Sequence, residues 1–155
     1  MTTAPAVPFI DLTQRPPRSP RQKLGGYVLL PRILDKGRST LAGKLGGYRF
    51  NGKGMDRHFF NFVGLDHEAL QKELAKGGGD GELLAWVEAN ARHPRSPWEI
   101  AAWSEYHTNR APDSDAETLT DFATAVAVFS TTREDIRTWF DLLDLDDHCS
   151  FGGRA

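Results

Sequence analysis

Three stretches of this chain have the spacing that begins a helix. Ser96-Pro97-Trp98-Glu99, Ser114-Asp115-Ala116-Glu117 and Thr131-Thr132-Arg133-Glu134 each set a hydroxyl three residues ahead of a carboxylate. In that arrangement the cap side chain and the carboxylate satisfy each other's free backbone amides. Pro97, directly after the first cap, adds a φ already suited to a first helical turn. Each box precedes an apolar recurrence of helical period: Ile100, Trp103 and His107; then Leu119, Phe122, Ala123, Val126 and Phe129; then Ile136, Trp139, Phe140 and Leu143. The spacing predicts three helices that pool these faces in one core. Ala125–Phe129 alternates as a strand would, but its alanine-rich approach from Leu119 favours a well-buried helix.

Upstream, the pentapeptide Lys-Leu-Gly-Gly-Tyr occurs at 23–27 and again at 44–48. The residues that follow the two copies diverge, Val-Leu-Leu-Pro-Arg against Arg-Phe-Asn-Gly-Lys, so the repeat is not a duplicated structural unit. Between the copies, Leu30, Ile33, Leu34, Gly37 and Leu41 fall on one helical face, with Arg32, Asp35, Lys36 and Ser39 opposite. Pro31 suits the first turn and Gly43 the end, so the pentapeptides bracket an amphipathic helix. Neither copy makes a phosphate loop: Gly37 to Gly43-Lys44 is one residue too long, with Leu45 where a hydroxyl is needed. Gly52-Lys53-Gly54 lacks the third glycine of a dinucleotide fingerprint. Shorter helices opened by aspartate are expected at Asp56–Val63, Asp66–Ala75 and Asp80–Ala91, with one short extended piece at Tyr48–Phe50.

The 155 residues suffice for one domain, and 39% hydrophobic content encloses a real core. Residues 1–22 hold five of the nine prolines and read as an extended arm, with Phe9, Ile10 and Leu12 pinning it and Arg15, Arg18 and Arg21 facing water. Residues 23–148 then form the helical domain and 149–155 a tail. The expected fold is all-α: a compact single-domain bundle of about six or seven short helices with that arm. A net charge of -2 gives no overall pull toward nucleic acid or acidic lipid. One cysteine, Cys149, permits no internal disulfide and suits a reducing compartment. With no secretory pattern and no membrane-length apolar run, the expectation is a cytoplasmic protein.

The order of LPRILDKGRSTLAG, NGKGMDRHFFNFVGLD, GDGELLAWV, PWEIAAWSEY and REDIRTWFDLLDLDD resembles the bacterial domain-of-unknown-function family numbered 5069, from about Leu24 to Asp147. Its most specific elements are Asp35-Lys36-Gly37-Arg38, Asp56, Asp80 with Trp86, Trp103, and the acidic helix end at Asp144 and Asp146. The resemblance implies a single compact domain and no particular chemistry. Gly37 departs from the larger residue usual in relatives, which suggests a close helix crossing there.

Among candidate sites the strongest is Arg32, Asp35, Lys36 and Arg38. At helical spacing the Asp35 carboxylate can organise both guanidinium groups, making an anion-binding edge; the plainer reading is a salt-bridged surface or a lock to an acidic group such as Asp144 or Asp146. Trp98 and Tyr106 make an aromatic pair on the second face of their helix, with Arg92, Arg95 and Arg110 as a basic rim, and suit a partner surface or ligand pocket; the plainer and favoured reading is that Trp98 packs on the arm or a loop. The run Asp141–Cys149 offers ligand types but neither calcium-loop nor zinc spacing, so no metal and no cofactor is expected. His107 reads as a core residue, and no catalytic residue is assigned. These residues point first to a binding or protein-interaction domain, with a protein or small anion as partner and nucleic acid disfavoured. The alternative is a small enzyme or anionic small-molecule-binding protein with a pocket beside the Asp35-Lys36-Gly37-Arg38 helix.

Overall fold

The computed structural model describes residues 7–155. It contains a two-residue hairpin, β1 (Lys23–Leu24) and β2 (Tyr27–Val28), and seven helices: α1 (Leu30–Leu41), α2 (Asp56–Val63), α3 (His67–Leu74), α4 (Asp80–Asn90), α5 (Pro97–Asn109), α6 (Ala116–Ala127) and α7 (Trp139–Ser150). The all-α architecture is as the periodicity predicts. The extended piece is not at Tyr48–Phe50 but in the first pentapeptide, where Lys23 pairs with Val28 and Leu24 with Tyr27. Gly25 and Gly26 both take positive φ, 59° and 85°, the geometry of a two-residue turn that matches strand twist. In the second copy only Gly46 does so. The Lys44 carbonyl there accepts from the Leu12 amide, so the same five letters make a plain turn.

Helix α1 is the axis of the molecule. Leu30, Ile33 and Leu34 pack with Tyr27, Val28, Phe59, Val63, Leu70 and Leu74 in one continuous core. Gly37 sits where α1 meets α3: an added Cβ would collide with the Leu74 side chain and press on the Phe50 ring at 3.2 Å. Position 37 is therefore the close crossing its sequence suggested. The polar side of α1 does not face water, contrary to the amphipathic expectation. Every residue from Leu30 to Ser39 is buried, because the arm, α2, α4 and α7 close over the charges.

Helix α5 docks against the hairpin through Ser104, whose hydroxyl donates to the Gly26 carbonyl at 2.6 Å and accepts from the Val28 amide at 3.2 Å. Its capping box is the one read at Ser96 and Glu99. The other two boxes are displaced. Helix α6 is capped by Asp115, not Ser114, with the Thr118 amide donating to its carboxylate at 2.8 Å. The sequence between Thr131 and Thr138 is not helical: Ser130 accepts from the amides of Thr132 and Arg133, and α7 starts later on a box formed by Thr138 and Asp141. Nor is α6 well buried. Phe122 is its buried residue, set edge-on to Trp139 at 5.1 Å, while Leu119 and Ala123 are exposed and Phe129 lies beyond its end.

In the arm, Leu12 is buried as expected whereas Phe9 is exposed. Replacing Gly37 with alanine removes a helix penalty of ~1 kcal/mol but forces a methyl into the crossing. The Gly37→Ala protein is expected to lose about 1–3 kcal/mol in urea unfolding, the reverse of what helix propensity alone predicts.

Candidate functional site

The four candidate residues of α1 are not joined to one another by Asp35; each meets a different element. Arg32 makes a bidentate pair with Asp147 of α7, at 2.6 and 3.2 Å, and donates to the Arg18 carbonyl. Asp35 is gripped by Arg18 of the arm, whose backbone amide donates at 2.9 Å and whose Nε and Nη2 donate at 3.0 and 2.9 Å. Lys36 donates to Asp56 at the start of α2 at 2.5 Å. Arg38 donates to Asp80 at the start of α4 at 2.8 Å and to the Gly78 carbonyl at 3.2 Å.

Asp80 also accepts from Arg18 at 2.6 Å. The Arg18 guanidinium, with Arg38 behind it, holds the Asp80 carboxyl below its usual range despite burial. Arg18 is thus drawn inward rather than facing water, whereas Arg21 stays exposed as expected while pairing with Asp141 and with Asp144, at 3.0 Å to the latter. The acidic end of α7 is a set of counter-charges, with Asp147 rather than Asp144 or Asp146 locking α1.

Arg32, Lys36 and Asp56 nevertheless line one cleft of ≈ 310 Å³, walled also by Tyr48, Met55 and Asp146. Arg49 and Lys53 stand on its rim, both exposed, and neither forms an ion pair among the described residues. These two were not singled out from sequence. The available signal was Gly52-Lys53-Gly54 running into a helix at Asp56, where Gly52 and Gly54 take φ of 68° and 61°. Tyr48 is fixed in the wall: its hydroxyl donates to Asp147 at 2.7 Å, and the Arg32 guanidinium lies 5.5 Å from its ring centre. Burial and the Asp147 carboxylate raise the Tyr48 phenol well above its ordinary value, so it remains a neutral donor.

His107 lies elsewhere. It is buried against Trp103, with Tyr106 edge-on, and its ring is 4.7 Å from that of His58. Burial first, then the neighbouring His58 and Arg110, push His107 down to about 4. His58, whose Nε2 is buried without a partner, is lowered by burial, Arg57 and Arg110. Both rings are neutral at pH 7.

Trp98 and Tyr106 are the exposed aromatic pair of α5, at 73% and 63%. The basic rim expected beside them is engaged. Arg95 donates to the Phe62 carbonyl and lies over its ring at 4.2 Å, Arg110 lies 5.9 Å from the Trp139 ring centre, and Arg92 pairs with Asp66 at 3.5 Å. Among the described residues, no helix is long and apolar enough to cross a membrane.

The fold and the site together define a small all-helical protein built round a charged helix that is neutralised from all sides and opens on a basic cleft. The chain belongs to the family described as Domain of unknown function (DUF5069), which matches residues 14–149 and so takes in the arm from Gln14 onward, α1 to α6 and all of α7 but its last residue. No curated protein matches the chain.

Arg32→Ala leaves Asp147 buried without its guanidinium, and is expected to cost about 3–5 kcal/mol in urea unfolding. The His107 shift sets a pH window. The unfolded ring, with its ordinary value of 6.5, takes up a proton that the folded ring refuses down to about 4, so stability falls as pH drops across that interval. His107→Phe, which keeps an aromatic ring against Trp103, should show a shallower fall in melting temperature between pH 6.5 and 4.5 than the parent protein.

Proposed function

We propose that this protein binds a small anionic molecule, a phosphate, a phosphate ester or a free carboxylate, in the cleft between α1, the start of α2 and the turn at 47–54. The observation that carries this reading is the state of Lys36. It is only 8% exposed, and Asp56 takes one of its three N–H donors. The ammonium is thus held in place by Asp56 while it lines a cleft where a ligand oxygen can meet its other donors.

The surrounding charge supports the same reading. Arg32, Lys36, Arg49 and Lys53 face Asp56 and Asp146 in the cleft, with Asp147 behind Arg32; four cations against three carboxylates leave a surplus of one positive charge. Arg32 and Lys36 are held by their own carboxylates and so are already oriented. Arg49 and Lys53 carry the charge that meets an incoming anion, and the N-terminus of α2, which has no side-chain cap, adds partial positive charge on the same side. A second reading, a protein-interaction surface on α5, is favoured by the exposure of Trp98 and Tyr106.

Pyrophosphate is the probe that separates the two. It is expected to raise the melting temperature in proportion to log concentration, less so as ionic strength rises. Arg49→Ala with Lys53→Ala, both at exposed positions, should weaken pyrophosphate binding at least tenfold and leave the unliganded melting temperature nearly unchanged. Trp98→Ala with Tyr106→Ala should not affect it. A melting temperature indifferent to millimolar pyrophosphate and phosphate would refute the anion reading.

A further inference from the structure

The basic cleft does not end at Tyr48. A second groove, of ≈ 420 Å³, shares Gly47, Tyr48 and Asp146 with it and continues to Leu12, Ser150 and Phe151. Both volumes fall within the range of small-ligand sites, about 300–1,000 Å³. Tyr48 therefore stands at the junction of a charged half and an aromatic half.

Tyr48 and Phe151 border the second groove with their rings within 5° of parallel and their centres 6.5 Å apart. A pair in direct stacking contact in the same molecule, Phe62 and Trp103, is equally parallel, at 7°, but only 4.9 Å apart. Tyr48 and Phe151 thus stand wider than a closed stack, at the long end of the aromatic-pair range. One wall is fixed, since Tyr48 is bonded to Asp147 and flanked by Arg32. The other is carried on the residue just past the end of α7, before Gly152 turns the chain at φ 92°.

We infer that the ligand is an anion joined to a planar ring, of the nucleoside monophosphate class, with its phosphate among Lys36, Arg49 and Lys53 and its base against Tyr48 and Phe151. This rests on the anion-binding reading of the cleft and adds the chemistry of the other half of the ligand. Aromatic faces accept any base by stacking, while the phosphate end supplies charge recognition.

The experiment is calorimetric titration of the full chain with inorganic phosphate, ribose 5-phosphate and adenosine monophosphate. Adenosine monophosphate should bind roughly tenfold more tightly than ribose 5-phosphate, the gain expected of one stacked base. Phe151→Leu, which keeps apolar bulk but removes the ring, should abolish that gap without changing ribose 5-phosphate affinity; Arg49→Ala with Lys53→Ala should weaken both ligands. If the nucleotide binds no tighter than the sugar phosphate, or the gap survives Phe151→Leu, the ring inference falls and the anion reading stands. If none of the three binds, both fall together.

Discussion

The charges of α1 can remain in the interior only because each meets its opposite from a different part of the chain. Arg18 comes from the arm, Asp56 from α2, Asp80 from α4 and Asp147 from α7. Exchange of such pairs for well-packed apolar groups is often neutral or even stabilising, so their value here is positional. Each one fixes the angle at which an element leans on α1. The Asp147 carboxylate does so twice, since it receives both Arg32 and Tyr48 and thereby sets the wall of the cleft.

Much of the helical plan was legible in the chain, and the reasons for the failures are local. Asp56–Val63 was read to the residue, because an aspartate and Phe59, Phe60 and Val63 carry both start and face. The Ser96 box was read correctly because proline follows the cap. The Thr131 box failed because Ser130 offered the amides of Thr132 and Arg133 a nearer acceptor, leaving the Thr138 box to open α7. Leu119 and Val126 have the period of a core face, but period says only that residues share a face, not what lies against it.

The same limit explains what was missed at the site. From spacing alone, Arg32, Asp35, Lys36 and Arg38 form a polar stripe, and a stripe that faces water looks identical to one that faces counter-ions. Four partners between 17 and 115 residues away make the difference, and no periodicity reports them. Arg49 and Lys53 escaped notice for another reason: they lie in an irregular turn, where position depends on the positive φ of Gly52 and Gly54 rather than on any repeat. For Trp98 and Tyr106 the strong cap of α5 fixed the register and so the face away from Ile100, but the packing on the arm or a loop favoured for Trp98 does not occur: it stands 73% exposed.

The pairing of Arg32 with Asp147 spans 115 positions of the chain. During synthesis at ~5–20 residues per second, the carboxylate follows its guanidinium by roughly ten seconds. Throughout that delay the nascent central helix carries a cation for which the emerged chain has not yet supplied this counter-charge. Consolidation of this part of the interior is therefore tied to the arrival of α7, and a ribosome-bound fragment ending before α7 would leave Arg32 without the carboxylate that orients it in the wall of the cleft.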